Sequence, residues 1–326
     1  MIPRVSVAMC TYNGAQFLQQ QLESIAVQTL RPHELVICDD HSSDSSVEMV
    51  SDFARRAPFP VRVYENESNL GVSKNFEKVL GLCEAEIIAL ADQDDVWMPH
   101  KLVTLSVALQ RNPSAGYVFS DAEIIDETGA LVRPSLWSSL GINRAIGNEF
   151  ADTRQVTTML RRAVATGATM AFRATLKEIV LPTSPHLLHD YWISLIASSL
   201  HFYGVAVPEP LIRYRRHQRQ QIGPGGRTIF QKVRWARGIT SAYYDNTRCG
   251  FEDVRERLFE AVAAGHVCNE SDLGALEGKI KHASRRAIMH STRGSAKLVT
   301  LFSEVLSGRY ETFSNSWRSV VEDLCF

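Results

Sequence analysis

Short apolar runs alternate with amphipathic stretches through roughly the first 120 residues. Arg4–Met9, Glu34–Cys38, Val61–Tyr64, Ile87–Ala91 and Tyr117–Ser120 each read as a buried strand, because each is an apolar run too short for a helix. Between them, Ala15–Gln28 places Phe17, Leu18, Leu22 and Ile25 at helical spacing. Ser45–Ala57, with Asp44 as N-cap, Ser73–Cys83, and a segment opened by Pro99 and running to about Arg111 complete the helices of this part. Strands separated by helices predict βαβ units, and so an α/β fold with a mostly parallel, doubly wound sheet and helices on both faces.

The stretch 122–217 is less regular. It holds a Thr166-Gly167 turn, a helix near Ala174–Val180, a helix after His189-Asp190, and a strand-like segment Phe202–Val207 before Pro208-Glu209-Pro210. From about residue 227 the pattern is helical throughout. The chain therefore divides into an α/β domain, 1–222, with a regular half at about 1–120 and a less regular half at about 121–222, and an α-helical C-terminal appendage, 223–326.

In doubly wound sheets ligands bind beyond the carboxyl ends of the strands. Three polar clusters stand there: Thr11-Tyr12-Asn13-Gly14, Asp39-Asp40, and Asp92-Gln93-Asp94-Asp95. Crowded carboxylates repel unless a cation screens them. A hard ion such as Mg²⁺ or Mn²⁺, held by one or two carboxylates plus substrate phosphates, is the usual solution. A solvated acidic turn is the other reading of such a run, and its place at a strand end favours the metal. At Asp39-Asp40, one carboxylate can accept a hydrogen bond from a nucleoside while the other braces the loop.

Val5–Gly14 with Gln28-Thr29 and Asp39–Asp44 resembles the start of the family 2 glycosyltransferases of GT-A fold. Asn69-Leu70-Gly71, then Asp92–Trp97 with Pro99 and Lys101-Leu102, is similar to their rhamnosyltransferase-like subgroup. The match runs in order over about residues 4–220. The resemblance implies inverting transfer from a nucleoside-diphosphate sugar, dTDP-rhamnose or a UDP-hexose, to a saccharide or lipid-linked acceptor. It implies that Thr11, Tyr12, Asn13 and Asp40 surround the nucleoside, and that Asp94 and Asp95 bind ribose and metal with Asp92 beside them. Lys74 falls where many relatives carry a basic residue near the nucleotide; a solvated helix lysine is the alternative.

Inverting transfer needs a general base, and the family pattern puts it at Asp190, which is otherwise a first-turn acid of a helix. His189 competes for the role. Tyr214-Arg215-Arg216-His217 resembles the segment in which a histidine completes the metal shell, and a mixed carboxylate-imidazole set suits Mn²⁺ better than Mg²⁺. Arg213, Arg215 and Arg216 are then available to the diphosphate or to an acidic acceptor. Thr166-Gly167 reads as a tight turn facing the acceptor. Trp97 and Trp192 either stack on sugar rings or sit in the core.

Composition narrows the picture further. The 326 residues are 45% hydrophobic and 22% charged with net charge -1, which gives no general preference for nucleic acid. Residues 211–248 nevertheless carry nine Lys/Arg against one acid. Part of that excess lies in Thr228–Thr240, which mixes Phe230 and Trp235 with Lys232, Arg234 and Arg237; it reads either as a basic amphipathic helix suited to an anionic membrane or as a helix packed on the α/β domain with a solvated basic face. Six cysteines show no ligand-like spacing. The N-terminus lacks a signal-peptide layout, and no apolar stretch approaches the ~20 residues of a membrane span. These features predict a cytoplasmic protein with contact to the inner membrane from one side. Two rival functions share parts of the pattern: a sugar-nucleotide nucleotidyltransferase, which would show a basic Gly-rich phosphate loop, and a non-catalytic binding module on the same fold.

Overall fold

The computed structural model describes residues 3–142, 150, 155–217, 220 and 240–325. In the first part strands and helices alternate: β1 (Val5–Thr11), α1 (Ala15–Ala26), β2 (Glu34–Asp39), α2 (Ser46–Arg56), β3 (Val61–Glu65), α3 (Val72–Leu82) and β4 (Ile87–Ala91). β1, β2 and β4 are buried along almost their whole length, as continuous apolar runs covered on both faces must be. Apolar side chains pack on the two sides of the sheet in separate clusters, one including Val36, Phe76, Phe172 and Ile193, the other including Leu18, Ile37, Phe53 and Leu102.

After β4 come β5 (Val96–Trp97), α4 (Lys101–Arg111), β6 (Ala115–Ile125), β7 (Leu131–Arg133), α5 (Leu136–Leu140), α6 (Gln155–Arg161), β8 (Met170–Arg173), α7 (Lys177–Val180), α8 (His189–Ser199) and β9 (Tyr203–Arg215). Among the described residues the sheet order is β3-β2-β1-β4-β8-β6-β9-β5, with β7 on β6. The pairs β1·β2, β1·β4, β2·β3 and β6·β9 are parallel; β8 is antiparallel to both its neighbours. That reversal has a consequence for the site. The start of β8, led by the 3₁₀ turn Gly167–Thr169, lies on the edge where β1, β2 and β4 end. β9 runs parallel to β6, so its carboxyl end reaches that edge as well.

Three departures from the sequence reading have simple causes. β5 and β8 are too short to show a period. β9 continues through Pro208 and Pro210 instead of ending before them, because a register shift between Ser120↔Val207 and Asp121↔Pro210 absorbs the prolines. Asp44 does not cap α2 itself: Ser45 occupies that position, while Asp44 accepts from the backbone of Ser46 and Ala15.

The C-terminal part is helical where it is described: α9 (Ser241–Ala263), α10 (Glu270–Ser291), α11 (Ser295–Leu306), α12 (Arg309–Phe313) and α13 (Trp317–Cys325). The basic segment 228–240 lies, apart from Thr240, outside the described residues. Among the described residues no helix is long and apolar enough to cross a membrane.

Candidate active site

The three strand-end loops are stitched to one another. Thr11 Oγ1 donates to Asp39 Oδ2 at 2.6 Å, and the Asp39 carboxylate also accepts from the backbone N–H and hydroxyl of Ser42, each at 2.7 Å. Asn13 has a left-handed backbone, φ 47°, a conformation asparagine tolerates; its Oδ1 accepts from Ser43 N at 2.8 Å. Gln93 closes the third side. Its Oε1 accepts from Tyr12 N at 2.8 Å and its Nε2 donates to Tyr12 O at 3.0 Å. Gly14 makes room for this latch, since a Cβ there would sit 2.1 Å from Gln93 Oε1.

Asp40 is buried, and its carboxylate accepts from Asn66 Nδ2 at 2.8 Å, Leu70 N at 2.8 Å and Gly71 N at 2.9 Å. One acid of the Asp39-Asp40 pair thus braces its own loop, and the other pins the Asn66–Gly71 loop while still lining the cleft.

These loops surround a cleft of about 650 Å³, lined by Thr11, Tyr12, Asn13, Asp40, Asp92, Gln93 and Asp94 and by Thr166, Gly167, His189, Asp190 and His217. His217 Nε2 lies 2.7 Å from Asp94 Oδ2, and its ring packs on Phe17 with centroids 4.8 Å apart. Asp190 opens α8. Its Oδ2 accepts from Gly167 N at 2.7 Å and its Oδ1 from Tyr191 N at 2.7 Å. Gly167 is close-packed against this acid: a Cβ would stand 3.1 Å from His189 Nε2 and 3.3 Å from Asp190 Oδ2. The glycine therefore lets backbone approach the carboxylate, whereas the sequence suggested an approach to a ligand.

The cleft is electrically lopsided. Burial, then the Asp94 and Asp190 carboxylates, push Asp92 up to about 7 against the opposing pull of Lys101. No hydrogen bond to the Asp92 carboxylate occurs among the described residues. Asp95 lies behind the cleft wall, 1% exposed, with Oδ1 accepting from Arg215 N at 2.9 Å and Oδ2 without a partner. Burial raises its pKa well above the ordinary carboxylate range, and Asp94 and Asp92 add to this.

Lys101 is the buried counter-charge, which the sequence offered only as part of a motif. Its Nζ donates to Ala168 O at 2.7 Å and sits 3.5 Å from the centre of the Trp97 ring. Burial lowers its pKa, opposed by Asp95 and Asp92. His189 is stacked on Phe76 at 3.6 Å with both ring nitrogens unpartnered. Burial favours its neutral form, against the pull of Asp190.

Several of the residues singled out in the sequence, Asp95 and Arg216 among them, stand apart from the cleft lining. Lys74 pairs with Glu77 at 2.9 Å on the surface of α3. Trp192 is a core residue whose Nε1 donates to Val180 O at 2.7 Å. Arg213 pairs with Glu123 at 3.2 Å. Arg215 binds Asp94 O at 2.8 Å, Gln20 Oε1 at 2.6 Å and Asp126 O at 3.1 Å, so it holds the acidic loop from behind. Trp97, the other tryptophan considered for sugar stacking, is likewise buried.

Comparison with known proteins decides the family. Residues 6–178 match the family described as Glycosyl transferase family 2. The chain belongs to that family. The matched span ends before Asp190 and His217, whose place in the cleft rests on the geometry above. An uncharacterized protein of Mycobacterium tuberculosis is 30% identical over 158 residues, 47% of this chain and 46% of that protein. The Escherichia coli UDP-Glc:alpha-D-GlcNAc-diphosphoundecaprenol beta-1,3-glucosyltransferase WfgD is 30% identical over 134 residues, 40% of this chain and 51% of that protein. The chain thus spans about half the length of the curated relatives it matches.

Among solved structures it is similar to Staphylococcus aureus TarS 1-349 in complex with UDP-GlcNAc (TM-score 0.57, 15% identity, 98% of this chain and 91% of that one). It is similar also to the mannosyltransferase PcManGT of Pyrobaculum calidifontis in complex with GDP-Man and Mn2+ (TM-score 0.56, 16% identity, 100% and 87%). At such identity the likeness establishes the shared GT-A fold of this family 2 chain.

Among the described residues, no three His, Cys, Asp or Glu side chains converge into a self-sufficient metal cage. The donor set nevertheless fits a hard ion that takes part of its shell from a substrate. Asp94 and His217 already stand at the separation of neighbouring ligands, and Asp92 is a partly buried carboxylate without a protein partner.

Proposed function

We propose that this family 2 member is an inverting glycosyltransferase. It moves a sugar from a nucleoside-diphosphate sugar to a hydroxyl of a saccharide or lipid-linked acceptor in cell-surface polysaccharide synthesis. The observation that carries the reading is the meeting of Asp190 with Asp92, Asp94 and His217 at one cleft that Thr11–Asn13 and Asp40 also line. The cleft then has a nucleoside side, a diphosphate side and an acceptor side. WfgD, by its name, takes UDP-Glc and a diphosphoundecaprenol acceptor, which supports a lipid-linked acceptor here. For the donor, UDP-hexose and dTDP-rhamnose both remain in the proposal. The first is favoured by WfgD and TarS, the second by the rhamnosyltransferase-like motif at Asn69–Gly71 and Asp92–Trp97. An enzyme with such an acceptor works on the cytoplasmic face of the membrane that holds it.

Asp190 takes the proton of the acceptor hydroxyl as that oxygen attacks the anomeric carbon. The bond from that carbon to the diphosphate oxygen breaks on the opposite face, and the nucleoside diphosphate leaves with the electron pair. Two backbone N–H groups hold the Asp190 carboxylate in one orientation, and each oxygen keeps a further lone pair for the incoming proton. Asp92, Asp94 and His217 are the residues that would hold a divalent cation, Mn²⁺ or Mg²⁺. Bound there, it would neutralise charge growing on the leaving diphosphate. Asp40 and the Tyr12–Gln93 latch keep the nucleoside side shaped before the donor arrives. Lys74 and Trp192 have their partners elsewhere, so the reading does not need them.

A thermal-shift panel of UDP-, dTDP- and GDP-sugars with and without Mn²⁺ tests the donor class. Stabilisation by at least one sugar nucleotide is expected, stronger with the ion; stabilisation by none at high concentration overturns the reading. The base is tested separately. Asp190→Asn should lower transfer by about 10²–10⁴-fold while keeping the donor-induced shift. Undiminished transfer would remove Asp190 from that role.

A further inference from the structure

Two of the C-terminal helices, α11 and α13, bury a carboxylate and expose most of their apolar side chains. Glu304 of α11 is 1% exposed and lies 2.7 Å from His282 Nδ1, with Arg309 Nη2 donating to it at 2.6 Å. Asp323 of α13 is fully buried and accepts from Arg286 Nε at 2.6 Å and Arg286 Nη2 at 2.7 Å, with His290 Nε2 at 3.0 Å and the Tyr310 hydroxyl also donating to it. Each helix therefore turns one paired charge inward, Glu304 beside Leu301 on α11 and Asp323 beside Ser319 on α13.

Their outer faces are apolar. Leu298, Phe302 and Val305 on α11, and Trp317, Val321 and Leu324 on α13, repeat the same i, i+4, i+7 spacing, and all six are exposed. Phe302 and Trp317 are each 67% exposed. The two helices share a groove, which half-buried Val320, beside the α13 stripe, lines with Leu298 and Phe302 of α11. An ordinary surface helix turns its charges outward and its apolar stripe inward. Two neighbouring helices that do the reverse are matched to an apolar medium outside.

We infer that α11 and α13 form a docking face for an anionic lipid bilayer, the two helices lying in the headgroup layer with Phe302 and Trp317 inserted. The charge pattern selects this occupant. Arg293 and Lys297 adjoin the α11 stripe in the chain and Arg318 the α13 stripe, against one acid there, the half-buried Glu322, and the three cations take part in no ion pair among the described residues; Arg318 stands 5.9 Å from the centre of the Trp317 ring. Apolar area flanked by unpaired cations is what binds a helix to anionic headgroups. Tryptophan, apolar in body and polar at its N–H, suits the same layer. At about 18 Å, α11 is too short to span a bilayer, so the contact is a surface one.

Vesicle sedimentation of the full chain tests the inference without any sugar nucleotide, so its outcome is independent of the transfer reading. The wild type should pellet with phosphatidylcholine vesicles containing phosphatidylglycerol and much less with phosphatidylcholine alone. Phe302→Ser and Trp317→Ser, both at exposed positions, should each weaken binding roughly tenfold with the circular dichroism melt unchanged. Lys297→Glu with Arg318→Glu should abolish the preference for phosphatidylglycerol. Wild-type protein left in the supernatant with both vesicles overturns the inference, as does undiminished binding by the two serine variants. Equal pelleting with both compositions overturns the choice of an anionic surface. Self-association in sedimentation velocity that Phe302→Ser abolishes, with no vesicle binding, assigns the face to a second copy instead.

Discussion

His217 Nε2 stands 2.7 Å from Asp94 Oδ2, joining residues 123 positions apart in the chain at the mouth of one cleft. The pairing depends on β9, whose parallel run beside β6 delivers the residues after Arg215 to the edge where β4 ends. The imidazole gives Asp94 a defined direction and offers a nitrogen ligand beside its oxygen. His217→Ala should lower Mn²⁺ affinity in the presence of a nucleoside diphosphate by at least roughly tenfold, read by calorimetric titration, with the melting temperature little changed. Unaltered Mn²⁺ affinity would take the histidine out of the ion's shell.

Asp92 makes stability depend on pH in an unusual direction. Its folded-state pKa is raised to about 7 by burial and by Asp94 and Asp190, whereas in the unfolded chain it lies near 4. The folded protein therefore holds this proton more tightly than the unfolded one. The stability tied to it is complete below about pH 4 and is lost as the pH climbs to about 7. Asp92→Asn should accordingly be more stable than the wild type above pH 7, by about 1–2 kcal/mol after allowance for partial exposure. The two should converge toward pH 4. Urea denaturation at both pH values checks this, and a constant difference across the range would assign the effect to packing. The variant should also lose ion-dependent donor binding, so greater stability and lower activity would arise from one substitution.

Asp40 serves a different end. It satisfies three donors of the Asn66–Gly71 loop from inside the protein. Asp40→Ala leaves those donors buried and unmet and should destabilise the protein by about 2–3 kcal/mol. Asp40→Asn keeps an acceptor for some of them and should cost less. Denaturation midpoints for the two variants, beside donor affinity, separate support of the loop from direct contact with the nucleoside. An alanine variant as stable as the wild type would show that the loop holds without it.

The donor half was legible because each of its strands is a short apolar run ending in a polar cluster, and the doubly wound rule sends those ends to one edge. Asp92, Asp94, Asp190 and His217 could thus be gathered from chain order and resemblance before any geometry was available. Side-chain direction was not legible. Lys74 sits one turn into α3, close in sequence to Gly71, yet turns to Glu77. Asp95 is the immediate neighbour of Asp94 but points behind the wall, toward Arg215. Trp192 lies two residues from Asp190, so the helical period carries it to the core face. Gln93 drew no notice between its acidic neighbours, because its role lies in two hydrogen bonds to the backbone of a residue 81 positions away. β8 was hidden for a related reason: four residues in a reversed strand carry no period, and only pairing with β4 and β6 defines them.

The reversed strand β8 also divides the cleft lining by its place in the chain. The groups on the proposed donor side, except His217, come from the ends of parallel strands before residue 98, whereas Thr166, Gly167 and Asp190 arrive later, around β8 and α8. The two sets are joined behind the cleft by the β4–β8 ladder and by Phe76 stacked on His189, and Lys101 donating to Ala168 O adds a single side-chain tie. On the proposed reading, substitutions in the loops at Thr166–Gly167 and before α8 should therefore change acceptor preference while the loops after β1, β2 and β4 keep their own hydrogen bonds.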